Sequence, residues 1–193
     1  MSGDANVGLV PGRTCGGCTV CCKELTIDTD AIRKVQGVAC VHCIPGGGCA
    51  IYPRWPPICR EWFCLWRRYA WLDDSWRPDR SRILLRATED DVPNGYAAGP
   101  GVVVDIFGAC DVLLREEVVT AIARLVAAGV ATFLSVPGLP GYASGRVLLN
   151  PSLREPVRAG DGDMLQRRLI EAFLRSVLHP KAAIELQAVQ PAL

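Results

Sequence analysis

Nine of the ten cysteines lie between Cys15 and Cys64, and only Cys110 stands outside that region. The region opens with a Cys-x2-Cys-x2-Cys-Cys run, so its first thiols fall very close together in sequence. Free cysteine packs no better than other small apolar residues and adds an oxidation hazard, so this crowding needs a chemical reason. Thiols so closely spaced either cross-link as disulfides or converge as thiolates on a metal.

The number of thiols indicates what they would bind. The first run can turn its sulfurs toward one centre, and a second group brings the total above what one tetrahedral site uses. We therefore expect two metal centres or one thiolate-bridged cluster. Soft thiolate sets select zinc or iron–sulfur, whereas calcium and magnesium need oxygen ligands. The second group consists of Cys40, Cys43, Cys49, Cys59 and Cys64.

The charge balance and the hydropathy narrow the cellular setting. The chain carries 21 Lys and Arg against 20 Asp and Glu, a formal net charge of +1, so no global field draws it to nucleic acid or to an anionic membrane. Neither a signal-peptide pattern nor a run of roughly 18 apolar residues is found. These features predict a cytoplasmic protein with no nucleic acid and no membrane as partner. Since cytosolic thiols stay reduced, metal binding or redox chemistry is favoured over structural disulfides, and the adjacent Cys21 and Cys22 could not bond to each other without strain.

Three cysteine motifs follow one another along this region. After the opening run come a lone Cys40, the segment Gly47-Gly-Cys49-Ala-Ile-Tyr52 and the segment Pro56-Pro-Ile-Cys59-Arg-Glu-Trp-Phe-Cys64. In order and spacing these motifs resemble the CxxCxxCC (YkgJ-like) family of zinc- or iron-chelating cysteine-cluster proteins. The resemblance covers residues 15–64 and does not extend to the second half of the chain.

The resemblance implies a site for zinc or iron, or for an iron–sulfur cluster, held by eight cysteines. Two features depart from the family pattern: Trp55 stands where the family has an arginine, with Arg54 one place earlier, and Cys43 is an additional thiol. His42, beside Cys43, is either a ligand or a donor to a ligand. The predicted metal ligands are Cys15, Cys18, Cys21, Cys22, Cys40, Cys49, Cys59 and Cys64.

Three functions are compatible with these thiols. The leading one is a metal-binding protein that chelates zinc or iron. The family also includes a flagellin lysine N-methylase, so the resemblance implies an alternative, an iron–sulfur-dependent enzyme that modifies a protein partner or substrate. No Gly-x-Gly-x-x-Gly motif follows a strand, and the sequence assigns no catalytic residue. The third function is a thiol-redox protein that cycles vicinal cysteines such as Cys21 and Cys22.

Tryptophans and arginines alternate at the end of the cysteine region. All five tryptophans fall within residues 55–76, where large aromatic rings are expected to cover the metal site and dock it against the second half. The interleaved Arg60, Arg67 and Arg68 resemble a nucleic-acid surface only superficially, because the overall charge is nearly neutral.

The sequence patterns of the helices and strands that would position this site predict an α+β fold. The expected parts are a flexible N-terminus at 1–14, a cysteine-cluster metal-binding module at 15–76, a small α+β domain at 77–180 and a tail at 181–193. Within the module, capping residues from Asp28 and a glycine stop at Gly37 predict one short helix. The second domain is predicted as a small, mostly antiparallel sheet packed with two helices, because a single intervening helix cannot build a doubly wound parallel sheet. The predicted strands span 82–88, 101–107, 130–136 and 145–149, and the predicted helices span 111–129 and 161–179.

Overall fold

The computed structural model describes residues 8–52 and 54–186, which form an α+β fold. The α-helices are α1 (Val20–Glu24), α2 (Pro57–Glu61), α3 (Leu65–Arg68), α4 (Pro78–Ser81), α5 (Glu116–Ala127), α6 (Asn150–Ala159) and α7 (Gly162–Leu178). The strands are β1 (Ile27–Asp28), β2 (Arg33–Lys34), β3 (Ile83–Thr88), β4 (Gly101–Ile106), β5 (Thr132–Val136) and β6 (Gly145–Leu148). Short 3₁₀ helices occupy Asp74–Trp76 and Cys110–Leu114.

Four strands form one mixed sheet in the order β3-β4-β5-β6. The β3–β4 and β5–β6 pairs are antiparallel, whereas β4 and β5 run parallel. The antiparallel expectation is therefore correct for two of the three pairings. The segment that contains α5 joins β4 to β5 and supplies the crossover that a parallel pair requires.

The two faces of this sheet have different partners. One face carries the main core, in which Val104 and Leu134 pack with Leu153 of α6 and Leu169 of α7, all fully buried. The alternate residues of the strands point to the opposite face, because successive side chains in a strand alternate. On that face Phe133 packs with neighbouring loop residues, while the buried Leu84 turns toward the cysteine region.

The segment that follows the cysteine region belongs to the main core. Trp66 of α3, Leu72 and Trp76 lie in the same buried cluster as the sheet and its helices. Leu72 is fully buried, and the Trp66 indole Nε1 donates to the Asp73 carbonyl oxygen at 3.0 Å. The docking role expected of the tryptophans is therefore filled by Trp66 and Trp76, whereas Trp71 is half exposed.

The helix predicted over 111–129 begins later than expected. Residues up to Leu114 form a 3₁₀ turn, Arg115 caps the helix, and α5 starts at Glu116. Asp111, the first residue of the predicted helix, pairs through its carboxylate with Arg82, which directly precedes β3. By contrast α7 starts where expected, with the Asp161 carboxylate accepting the Met164 N–H at 2.9 Å.

Helix α6 was not expected, so three helices rather than two cover the sheet. It follows β6 directly and carries proline at two positions, Pro151 in its first turn and Pro156 inside it. Proline is well suited to the first turn of a helix, but an interior proline removes a hydrogen bond. Burial of Leu153 and Pro156 between α5 and α7 stabilises the helix despite that loss.

The short helix predicted between Asp28 and Gly37 is wrong. This segment is a hairpin in which Ile27 pairs with Lys34 and Asp28 with Arg33. Thr29 closes the turn, since its side-chain oxygen accepts the Ile32 N–H at 3.1 Å. Threonine side chains that bond to nearby backbone groups favour turns over helices.

Both ends of the described chain are tied to the fold. Near the N-terminus, Val10 N–H donates to the Arg67 carbonyl oxygen at 2.8 Å. Near the C-terminus, Ile184 N–H donates to the Gly141 carbonyl oxygen at 2.8 Å. The flexible N-terminus predicted for 1–14 and the tail predicted for 181–193 also include residues 1–7 and 187–193, which lie outside the described residues. None of the helices in the described ranges combines the length and apolar character of a membrane span.

Candidate metal centre

Every cysteine of the region 15–64 lines one cavity of about 470 Å³, here called the cysteine cavity. The eight predicted ligands therefore share this cavity with Cys43 and His42, and Leu84 of the sheet contributes to its wall. No aspartate or glutamate is among the described residues that line it. Cys110 lies elsewhere, packed against the main core.

The thiols line this cavity without a preformed coordination geometry. All ten cysteines are free, so none forms a disulfide. Among residues 8–52 and 54–186, no three His, Cys, Asp or Glu side chains are grouped so that they could hold a metal ion as placed. The soft thiol donors of the cavity suit zinc or iron. Because these donors are not grouped around one point, metal binding would require the loops to bring their sulfurs closer together.

Short elements and turns deliver the cysteines to the cavity. Cys21 and Cys22 lie on α1, Cys59 lies on α2, and Cys64 caps α3. The loop after the hairpin is joined to α1, because Cys40 N–H donates to the Cys22 carbonyl oxygen at 2.9 Å. This backbone hydrogen bond fixes the position of Cys40 relative to Cys22.

Two glycine-rich loops meet backbone to backbone at one side of the cavity. Cys43 and Cys49 pair across the second loop as an antiparallel bridge, and the glycines between them have positive φ. A Cβ atom on Gly47 would lie 2.6 Å from the carbonyl oxygen of Gly17. Only glycine allows this approach, which holds the Cys15–Cys18 loop against the Cys43–Cys49 loop.

Substitution of Gly47 by alanine is expected to separate these loops. Gly47→Ala combines a φ of +113° with the contact to Gly17 O, whereas Gly46→Ala has a φ of +89° and nothing within 4 Å of the added Cβ. We expect Gly46→Ala to cost about 1–2 kcal/mol of stability from backbone strain alone, and Gly47→Ala to cost clearly more. Urea unfolding of both variants measures this difference. Equal losses would show that the loop contact contributes nothing.

The Cys22 thiol is acidified by its neighbours in the cavity. Hydrogen bonding from the Cys21 thiol lowers the pKa of Cys22 to about 6, with further help from the Cys43 thiol and the Lys34 charge and against the effect of burial. The same hydrogen bond to Cys22, together with burial, raises the pKa of Cys21 well above its usual value. Burial also raises the pKa of Cys43. Among these three neighbouring sulfurs, the shared hydrogen bonds therefore favour the thiolate form at Cys22.

The thiols on the other side of the cavity resist ionisation. Burial raises the pKa of Cys59 to about 11, and the charges of Cys22 and Cys40 add to the effect. Burial likewise raises the pKa of Cys64 to about 11, opposed by hydrogen bonds from the Arg67 and Trp66 backbone. A buried thiolate needs nearby positive charge, so a bound cation would favour the ligating form of both groups.

Lys34 forms hydrogen bonds with the backbone at the C-terminal end of α1. Its ammonium donates to the carbonyl oxygens of Lys23 at 3.1 Å, Val35 at 3.3 Å and Leu25, although the residue is only 5 % exposed. Burial lowers the pKa of Lys34, and the thiolate charges of Cys40, Cys22 and Cys21 oppose that shift. Lys34 thus fixes the helix that carries two predicted ligands and places a positive charge near them.

Arg67 enters the cavity from α3. One of its guanidinium nitrogens lies 3.5 Å from the Cys15 sulfur, and the group stacks over the Phe63 ring at 4.8 Å. Arg13 fixes the backbone around it, donating to the carbonyl oxygens of Trp66 and Tyr69. The neighbouring Arg60 and Arg68 are exposed, so the three interleaved arginines have different roles.

Sequence reasoning missed Lys34, Arg67 and the contact between Gly17 and Gly47. Arg67, at the third position of α3, has no local sequence pattern that separates it from its exposed neighbour Arg68. The three consecutive glycines did signal a turn, but not which backbone would lie against it.

Comparison with known proteins identified no relative of this chain. No protein-family model, no curated protein and no solved structure matches the chain. The resemblance to the CxxCxxCC family therefore stays a prediction from the cysteine motifs.

Proposed function

We propose that this protein is a cytoplasmic metal-binding protein that chelates zinc or iron, including iron as an iron–sulfur cluster, through the cysteine cavity. One observation carries the proposal: nine thiols from separate loops and short helices line a single cavity, and none of the described residues in its walls carries a carboxylate. Such a donor set is soft and selects zinc or iron–sulfur over calcium or magnesium.

The ligands we propose are the seven cysteines of the three motifs and the lone Cys40, with Cys43 and His42 available on the same walls. Nine thiols exceed one tetrahedral site, which supports two centres or a thiolate-bridged cluster. Bound metal would supply positive charge to a cavity in which burial raises the pKa of Cys18, Cys59 and Cys64. The short helices and loops of the protein position the sulfurs. Lys34 and Arg67 place positive charge beside them.

Metal would also have a structural role in the cysteine region. Neither α1 nor α2 contains a buried residue, and the described hydrophobic residues buried between 15 and 64 are Ile32, Cys40 and Phe63. So small a core stabilises a loop-rich segment poorly. Structural zinc supplies about 10–16 kcal/mol of apparent folding free energy in small zinc peptides, which would be ample here.

Alkylation in the presence and absence of metal tests this function. The reduced protein is treated with iodoacetamide after zinc loading, and again after removal of zinc by a chelator, and modified peptides are measured by mass spectrometry. We expect zinc to protect the proposed ligands and to leave Cys110 unchanged, which makes Cys110 the internal control. Equal alkylation of the cavity cysteines in both samples would contradict metal binding.

Thiol-redox chemistry is a second candidate, favoured by the low pKa of Cys22 and its contact with the Cys43 thiol. In this reaction the Cys22 thiolate attacks a peroxide oxygen, a sulfenic acid forms as the O–O bond breaks, and the Cys43 sulfur displaces hydroxide to give a disulfide. The peroxide is reduced and the two thiols are oxidised.

The pH dependence of alkylation in the metal-free protein tests the lowered pKa of Cys22, on which the thiol-redox function depends. A thiol reacts as its thiolate, so the Cys22 rate is expected to rise through pH of about 6. The Cys59 rate is expected to rise only toward pH of about 11. Iodoacetamide kinetics followed by peptide mass spectrometry give both profiles. Profiles with the same midpoint would rule out a selectively activated Cys22.

A further inference from the structure

Two buried basic side chains of the described residues lie beside the thiols. Among the described residues, Lys34 and Arg67 are the buried Lys and Arg side chains, at 5 % and 6 % exposure. Lys34 interacts with the charges of Cys40 and Cys22, and Arg67 lines the cysteine cavity itself. Burial of a cation is unfavourable unless a negative partner is present, so this placement requires an explanation.

The described residues that line the cavity offer Arg67 no carboxylate as that partner. None of the described cavity residues is acidic, and the recorded side-chain hydrogen bond of Arg67 goes to the Cys15 sulfur. Its Nε–H is buried and has no hydrogen-bond partner among the described residues. A guanidinium stays charged across the physiological pH range, so Arg67 cannot relieve the cost by losing a proton.

We propose that Arg67 is the built-in counter-charge of the thiolate cluster and positions Cys15 as a ligand. A cluster in which thiolates outnumber the charges of the bound ions is anionic, and a buried anion needs a nearby cation. Arg67 meets this need by donating to the Cys15 sulfur while Phe63 holds its guanidinium plane in place. The inference rests on the proposed metal-binding function and assigns Arg67 a role that the cysteine motifs do not contain.

The neighbouring Arg68 provides a matched control. It lies on the same helix and over the same Phe63 ring, at 6.0 Å, but is exposed and does not line the cavity. Zinc affinity is measured by competition with a chromophoric chelator for wild type, Arg67→Met and Arg68→Met. Residues that support metal ligands typically contribute 10–100-fold to affinity, so Arg67→Met is expected to bind zinc roughly 10–100-fold more weakly. Arg68→Met is expected to match wild type.

Two further variants separate charge from packing. Arg67→Lys keeps the positive charge, whereas Arg67→Gln keeps a hydrogen-bond donor and removes the charge. Arg67→Lys is expected to recover most of the lost affinity, and Arg67→Gln is expected to stay as weak as Arg67→Met. The sulfur-to-metal charge-transfer band of the cobalt-substituted protein is expected to shift in Arg67→Gln and to stay close to wild type in Arg67→Lys.

The outcomes distinguish this inference from the function on which it rests. Failure of the wild type to bind zinc or cobalt would overturn the proposed function and the role of Arg67 together. If wild type binds and Arg67→Gln binds equally tightly, the counter-charge role is wrong and the function stands. Should Arg67→Met fail to fold, the ranking of Arg67→Lys against Arg67→Gln still decides, because a role in packing alone would not favour the charged variant.

Discussion

A strong chelator is expected to unfold the cysteine region while the mixed sheet and its helices stay folded. Between residues 15 and 64 the buried core is small, whereas Leu113, Leu134 and Leu169 of the second half are fully buried. Loss of metal would remove a contribution of about 10–16 kcal/mol, if the site resembles small zinc peptides. Limited proteolysis after chelation, with mass spectrometry of the fragments, measures which part becomes susceptible.

Tryptophan fluorescence adds a local measurement of the same event. Trp55 and Trp62 line the cavity and are only partly buried, whereas Trp76 lies in the main core. We expect the signal to change in variants that retain Trp55 and Trp62, and to change little when both are replaced by phenylalanine. Unchanged fluorescence and protease resistance of residues 15–64 after chelation would mean that metal does not stabilise this region.

Replacement of Leu72 by alanine is expected to lower the free energy of unfolding by about 2–5 kcal/mol. Leu72 is fully buried beside Trp66 and Trp76 in the cluster that also contains the sheet and its helices. The cavity left by the lost side chain would therefore weaken the whole fold and not only the cysteine region. Chemical denaturation followed by far-UV circular dichroism measures the loss.

The exposed neighbour Trp71 serves as the control for this prediction. Its side chain is 49 % exposed, so Trp71→Ala is expected to change the unfolding free energy far less than Leu72→Ala. Comparable losses for the two variants would show that the segment after α3 does not anchor the cysteine region in the main core.

The strands and the last helix could be predicted because local signals and tertiary packing agree there. Runs rich in valine and isoleucine between turn residues became β3 to β6, with ends that agree to within about two residues. Asp161, the first residue of the predicted helix, caps α7, and Leu165 and Leu169 of that helix are buried. Val177 lies near the helix end, beyond the core, and is exposed.

Other elements depend on contacts that no local pattern reveals. The segment from Asp28 to Gly37 offers a weak helical pattern, but the turn at Thr29 and the burial of Lys34 favour a hairpin. In α6, the interior Pro156 disfavours a helix in the sequence. Packing of this residue against other helices stabilises the helix nevertheless. Tertiary packing decides both cases.

In the candidate site, likewise, the thiols could be predicted from the sequence but the residues that support them could not. The eight cysteines predicted from their spacing line one cavity, together with Cys43, which the ligand prediction left out. The residues that support them come from distant or unremarkable positions. Arg67 is 52 positions from Cys15, whose sulfur it contacts, and Gly47 meets Gly17 from a separate loop. Such contacts follow from the packing of the whole chain and not from spacing.

Metal content of the protein purified anaerobically from its native host tests the central claim most directly, because zinc acquired in a foreign host reflects affinity order and availability. The account predicts bound zinc or iron, with colourless protein for zinc and a brown colour with visible absorption for an iron–sulfur cluster. It also predicts that the proposed cysteine ligands become reactive to alkylation only after the metal is removed. Metal-free protein, with the cysteines between Cys15 and Cys64 freely reactive or joined in disulfides, would contradict it.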